Sequence, residues 1–474
     1  MKLIKNFLWN AGYQVFVLLV PLITIPYISR VLGPEGVGIN SYTNSIVKYF
    51  ILFGSLGINT YGNREVAYKR DSKEVLSRTF WEISLLRFIT IGLAVVAYLI
   101  FISFTDEYRV YYVIQGIALV GAAFDISWFF MGMENFRVTV LRNAFVKILS
   151  LALIFAFVKT SHDIGIYILI IAASQALGFL TLWPYVRHLV SFVPLHKLRL
   201  FRHIRPSVTL LIPQIATQIY LQLNKTMLGS FRGVQASGFY DNSDKIIKLV
   251  LAIITATGTV LLPRVAHSFA KGDNGAVKRS LVTSMHVILV VAFPMAFGLA
   301  AVSHPFTLLF FGNKFEAVGA LMAVESAVIV LIGISNAIGT QYLLPTNQLK
   351  IYTTSVIIGS IVNIILNVPL ILIFGTMGAI VATVLSELAV SAYQIFKVRK
   401  QVGLDELFQE TWKYLVSSVI MYWIILQISK GFSSSAVSIG IEVLVGIVVY
   451  VAVLFVLHPT KLLSTISSFR SSNR

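Results

Sequence analysis

Residues 225–246 read KTMLGSFRGVQASGFYDNSDKI, and residues 30–46 read RVLGPEGVGINSYTNSI. Both carry Leu-Gly, a glycine-punctuated turn, a second Gly and a polar Tyr/Asn/Ser cluster that reaches Ile eight residues later. Aligned on Leu-Gly, the second copy is four residues longer between its glycines. The copies sit at equivalent joints, between the first and second long apolar stretches and again between the seventh and eighth. Six helices per repeat is an even number, so the second copy re-enters the membrane with the orientation of the first. That spacing predicts an all-α membrane protein of two six-helix lobes, residues 1–200 and 201–402, related by a pseudo-two-fold along the membrane normal. Two appended helices and a tail fill 403–474.

Hydropathy supports the membrane assignment. The chain has 474 residues, 57% of them hydrophobic and 12% charged, with a mean hydropathy of +0.82. No ordinary soluble domain has that composition. A bilayer core accepts about 20 apolar residues as helix, and the chain divides into about fourteen such spans: 9–31, 39–62, 80–103, 109–132, 141–159, 163–186, 205–230, 241–263, 283–303, 319–344, 352–374, 376–397, 412–430 and 436–457. The split at 375–378 is the least marked. Alternating ten-residue strands of barrel type do not appear.

With a cytoplasmic N-terminus, the inner joints and both ends hold about 25 Lys and Arg, including Lys461, Arg470 and Arg474, against about six outside. That asymmetry accounts for most of the formal +18 without nucleic acid; anionic cytoplasmic lipid is partner enough. MKLIKNFLWN runs into a span without a small-residue cleavage site, so the first helix is expected to be its own targeting signal. Zero cysteines exclude disulfides and thiolate chemistry.

Some charges remain inside the expected spans: Lys48, Arg87, Lys147, Lys225, Lys245 and Lys248. Each is costly in lipid unless paired or hydrated. Lys245 and Lys248 follow Asp241 and Asp244 by four residues, a favourable ion-pair spacing. The other four lack an acid three or four residues away on their own helix, and three buried acids, Asp125, Glu325 and Glu387, are too few for all of them. A water-filled cationic cavity that attracts anions is the preferred reading, against scattered ion pairs and snorkelling. The acids are candidate proton or sodium sites, or structural partners of the bases. Asn363 and Asn367, one turn apart, read as interhelical glue. Pro21, Pro213, Pro263 and Pro294 mark expected kinks.

The seventh span contains PQIATQIYLQLNK, residues 213–225. Gln214, Gln218 and Gln222 drift by about 40° per step and Lys225 stays on their side. This ridge is a candidate track for sugar hydroxyls; interhelical bonding is the alternative. No phosphate-binding glycine loop, HExxH helix or GxSxG elbow is present, so neither an ATPase nor a hydrolase is expected, and no cofactor.

PYISRVLGPEGVGINSY (26–42), LGINTYGNREVAYKRD (56–71) and ISWFFMGMENFRVTVLRNAFVKI (126–148) resemble polysaccharide flippases of the Wzx type. These belong to the multidrug/oligosaccharidyl-lipid/polysaccharide exporter superfamily. GFYDNSDKI (238–246), residues 343–371 and GAIVATVLSE (378–387) extend the resemblance over nearly the whole chain, in order. One departure is Met131, where the family often has Gln. The resemblance implies a flippase of the bacterial cytoplasmic membrane that carries undecaprenyl-diphosphate-linked oligosaccharide outward by alternating access, for capsule, exopolysaccharide or O-antigen assembly. Glycosyltransferases and a polysaccharide polymerase would be its partners in that pathway. A drug or cation antiporter of the same superfamily should prefer an acidic, aromatic cavity. A membrane polymerase would need a large outer loop or a carboxylate cluster, and neither is visible.

Overall fold

The computed structural model describes residues 2–431 and 434–460, and their side chains except those of residues 2–18, 136–137, 212–213, 216–217, 219–220 and 256–264. Lys461, Arg470 and Arg474, and the side chains of Pro213 and Pro263, lie outside that set. Helices and short joints account for the described residues, with no strand among them. Helix is one of the two ways a backbone can satisfy its own hydrogen bonds in lipid. Ten helices among the described residues are long and apolar enough to cross a membrane. The chain forms two compact units, Met1–Gly238 and Phe239–Arg474.

The first unit begins with α1 (Lys2–Ser55), in which the expected first and second spans run on through a single break at Gly33, with φ 70° and ψ 179°. Glycine takes that conformation without a Cβ penalty, and Pro34 restarts the helix where its missing N–H costs nothing. A second left-handed pair, Leu56 and Gly57, separates α2 (Ile58–Lys69), so the expected span 39–62 is cut near its end. Then come α3 (Lys73–Ser103), α4 (Arg109–Ala123), α5 (Ser127–Gly132) and α6 (Phe136–Phe157). After them follow α7 (Ile164–Leu180), α8 (Trp183–Val186) and α9 (Ile204–Arg232). The expected spans 109–132 and 163–186 are thus each a long helix plus a short one.

The core of this unit explains why the recognisable motifs are where they are. Trp128, Phe129 and Phe130 are fully buried with Phe80, Ile83 and Ile58. Trp128 lies flat against Gly62, where an added Cβ would come within 2.5 Å of the indole. Gly132 meets Val66 in the same way, at 2.6 Å. Gly62 of LGINTYGNREV therefore accepts Trp128 of ISWFFMG, and Gly132 of ISWFFMG accepts Val66 in return. Met131 points away and is exposed.

The second unit contains most of α10 (Val234–Ala270), then α11 (Asn274–Phe310), α12 (Ala317–Glu325) and α13 (Ala327–Ser335). α13 continues into a π-helical turn, Asn336–Leu343, where the Gln341 amide donates to Asn336 Oδ1 at 2.8 Å. That five-residue spacing matches the wider turn. α14 (Leu349–Phe374) and α15 (Thr376–Val398) form a hairpin about Gly375, at φ 59°. Gly378 packs there on the Leu370 carbonyl so closely that an added Cβ would lie 2.0 Å from its oxygen. α16 (Leu404–Phe408) leads to α17 (Thr411–Ser429) and α18 (Ala436–Val456). These last two pack on α11, where Tyr450 donates to the Val290 carbonyl at 2.7 Å.

Candidate functional site

The first copy of the repeat and residues 226–238 of the second meet inside the first unit. Gly233, which ends α9, has φ 86° and ψ 164°, the conformation of Gly33. The equivalent breaks are thus two hundred residues apart, and the copies align without the four-residue insertion: Gly33 with Gly233 and Gly38 with Gly238. The contact is reciprocal. A Cβ on Gly38 would lie 2.0 Å from the Val234 carbonyl oxygen, and one on Gly238 would lie 2.9 Å from that of Pro34. Pro34 and Val234 are themselves equivalent, so a local two-fold passes through the crossing. Around it, the Ser237 hydroxyl bonds to Ser41 Oγ at 3.1 Å, Ser45 to Thr226 at 2.8 Å and Tyr42 to Ser230 at 3.1 Å.

The polar cluster of the first copy is anchored sideways as well. Asn44 donates to Gln115 Oε1 of α4 at 3.2 Å, and Gln115 donates to Asn40 at 3.3 Å. The same register aligns Lys48 with Lys248.

The intramembrane bases separate into distinct environments. Arg87, 2% exposed, donates to the Ala122 carbonyl at 2.7 Å, to Asn59 Oδ1 at 2.6 Å and to Asp125 Oδ2 at 3.4 Å. Asp125 Oδ1 accepts the Ser127 N–H at 2.9 Å, which caps α5. This guanidinium is a node tying α2, α3 and the α4–α5 joint. Lys245 and Lys248 pair with Asp241 and Asp244 at 2.5 and 2.6 Å, the local neutralisation that their spacing allows. Lys147 is half-buried and has no carboxylate partner among the described residues. Lys48 is exposed and Lys225 half-buried. Of the acids, Glu325 is buried and accepts from the Ser243 hydroxyl at 2.5 Å, and Glu387 is buried on α15. Asn367 donates to Asn363 at 2.8 Å along their own helix.

The glutamine ridge of α9 is only partly engaged. The Gln214 amide donates to Thr60 Oγ1 at 3.0 Å and to the Leu210 carbonyl at 3.1 Å. The amides of Gln218 and Gln222 have no hydrogen-bond partner among the described residues, although Gln222 is buried and Gln218 half-buried. Neither side-chain amide is among the fully buried unpartnered polar atoms, so both are reached by solvent and are groups available to a polar ligand.

A further cluster carried no sequence signal beyond one acid near the start of α3. Glu82, fully buried, accepts the Arg199 N–H at 2.7 Å, Arg78 at 3.0 Å, Arg202 at 2.5 Å and bonds His203 at 2.8 Å. His203 in turn bonds the Tyr61 hydroxyl at 2.6 Å. Burial pushes His203 below the ordinary histidine value, and the adjacent Glu82 offsets this only in part.

A family model described as polysaccharide biosynthesis protein matches residues 3–269. The chain belongs to the polysaccharide biosynthesis protein family. Relatives of this family member include a putative O-antigen transporter of Escherichia coli (strain K12), 23% identical over 84% of this chain and 97% of that one. The lipid II flippase MurJ of Bacillus subtilis (strain 168) is 26% identical over 44% of this chain and 40% of its own. Among solved structures, the inward closed conformation of MurJ superposes with a TM-score of 0.78 at 16% identity, covering 95% of this chain and 99% of that one. An inward-facing multidrug resistance MATE transporter of the MOP superfamily gives 0.58 at 12% identity, covering 81% and 98%. This polysaccharide biosynthesis protein has the all-α fold of that superfamily, and the resemblance to Wzx-type flippases stands. Its named relatives are transporters and flippases, not catalysts.

Proposed function

We propose that the protein translocates undecaprenyl-diphosphate-linked oligosaccharide repeat units across the bacterial cytoplasmic membrane by alternating access, with both termini cytoplasmic. The observation that carries this reading is the half-engaged ridge of α9. Gln218 and Gln222 offer amides to sugar hydroxyls in a chain whose intramembrane bases favour an anion. Family membership supplies the polysaccharide context. Lobes at 1–200 and 201–402, with the helices of 403–474 appended, follow from the repeat.

In the proposed cycle Lys147, Lys225 and Lys48 attract the diphosphate, while Arg87, held by Asp125, contributes field and rigidity rather than a mobile contact. With Asp125 committed to that pair, Glu325 and Glu387 are the acids through which a proton or sodium gradient would act. The test is flipping of a fluorescent polyprenyl-diphosphate oligosaccharide in proteoliposomes. Gln218→Leu/Gln222→Leu and Lys147→Ala are expected to slow it at least tenfold with unchanged expression. Parental rates in both variants would overturn the reading.

A drug or cation antiporter shares the MATE fold likeness, but fold is all that likeness shows, and Lys147, with no carboxylate partner among the described residues, disfavours a cationic cargo beside it.

A further inference from the structure

We propose that the segment joining α8 to α9, residues 187–203, is a docking surface for anionic phospholipid of the cytoplasmic leaflet, held in shape by Glu82. The proposal rests on reading this joint as cytoplasmic. From residue 164 to residue 240 the sequence contains no Asp or Glu, and Arg187, Lys197, Arg199 and Arg202 crowd the joint itself. Glu82, supplied by α3, meets the joint at Arg199, Arg202 and His203.

Between those cations stand large apolar side chains in the open: Phe192 is 79% exposed, Leu195 70% and Phe201 78%. A solvated loop would not leave three such groups in water. Alternating cationic and apolar side chains are what lies down at a headgroup boundary, the apolar part reaching acyl chains and the charge meeting phosphate.

A groove of about 510 Å³ marks where one lipid would sit. Its walls are Trp81, Trp183 and Phe192, Arg187 also lines it, and Leu180 of α7 continues it into the membrane-spanning part of the chain. A lipid therefore reaches Arg187 without leaving the bilayer. Tryptophans at that depth match the aromatic belt of membrane proteins. This continuity favours lipid over a cytosolic protein as the occupant.

The surface is built rather than floppy. Ser191 N–H donates to Ser77 Oγ at 2.9 Å, the Trp81 indole donates to the Ser191 carbonyl at 3.1 Å, and the Arg199 N–H donates to Glu82 at 2.7 Å. These bonds fix both ends of the segment on α3. The linker between the two repeats is thus expected to be held on the leaflet surface by lipid from below and by α3 from the side.

The absence of cysteine gives a clean probe. His196→Cys in the full chain, labelled with a polarity-sensitive fluorophore, is reconstituted in phosphatidylcholine vesicles with or without phosphatidylglycerol. A blue shift that requires phosphatidylglycerol is expected. Its dependence on phosphatidylglycerol should weaken about fivefold for each charge removed by Arg187→Gln, Lys197→Gln and Arg199→Gln, with Arg279→Gln unchanged as control. Identical emission in both vesicles overturns the proposal, and so does a shift that appears only on adding cytosolic protein. Should the charge variants fail to express, the lipid comparison on His196→Cys alone decides. A membrane-impermeant thiol reagent on spheroplasts separates the underlying reading: labelling from outside would refute the cytoplasmic placement. Labelling only after permeabilisation, with no response to phosphatidylglycerol, would refute lipid docking alone.

Discussion

Gly38 tolerates no side chain where it stands. The atom 2.0 Å from where its Cβ would be is a carbonyl oxygen, which cannot rotate away, whereas at Gly229 the obstacle at 2.1 Å is the ring of Tyr42. Gly38→Ala is therefore expected to cost more than about 3 kcal/mol, at or beyond the upper end of ordinary overpacking, and to abolish folded protein on detergent size-exclusion. Gly229→Ala should be rescued in part by Tyr42→Ala, which removes the obstacle. The Arg87–Asp125 pair makes a second prediction at this scale. Removing either partner leaves a buried charge, so Arg87→Leu or Asp125→Leu should each cost about 3–5 kcal/mol, and the double variant much less than their sum. Thermal unfolding of the purified variants checks both. Arg87 also shows what sequence withholds. Its lack of an acid three or four residues away on its own helix was legible, but its partners come from α2, α4 and the α4–α5 joint, and pairing across helices has no spacing rule.

The elements divide in the same way. Apolar length and turn residues placed nearly every helix, including the hairpin at Gly375. What they missed were breaks inside apolar runs, at Leu56-Gly57 and at 124–126, because a helix can stop there without any polar residue to announce it. The alignment of the two repeats on Leu-Gly missed for a related reason: left-handed backbone at Gly33 and Gly233 sets the register, and dihedral angles are not spelled out in letters. At this scale, replacing Gln214, Gln218 and Gln222 together with leucine should leave helix α9 as stable as before, since leucine is an equally good helix former. Transport should fall; retained transport would return the ridge to packing. The joint before α9 carries a pH prediction. His203 lies below its ordinary value in the docked state, so the undocked state binds more protons on acidification. Docking is complete above about 6.5 and weakens as pH falls from there toward the docked value. Hydrogen exchange at the Ser191 and Arg199 amides should accelerate over that interval, and His203→Gln should flatten the response.

For the whole molecule, composition and the positive residues of the joints were enough to give a multi-pass all-α protein, and the ordered motifs gave its family. The site was less legible, because the same amide reads as glue or as ligand contact until its neighbours are known. Alternating access makes a further demand. If the repeats rock against each other, the crossing at Gly38 and Gly238 must loosen or pivot during each cycle. Ser41→Cys/Ser237→Cys, whose hydroxyls stand 3.1 Å apart, should form a disulfide in this otherwise cysteine-free chain and arrest flipping, with recovery on reduction. Undiminished flipping in the oxidised protein would mean that the crossing stays shut throughout.

The crossing itself is isologous: position 38 touches 234 while 238 touches 34, the pattern of a two-fold homodimer. Joining both halves in one polypeptide lifts the constraint that such a dimer imposes. Ser41, Asn44 and Ser45 correspond to Asp241, Asp244 and Lys245, so at these three positions only the second copy carries charge. Two identical subunits would have had to carry it twice. Fusion allows this molecule a symmetric crossing flanked by unlike sequences.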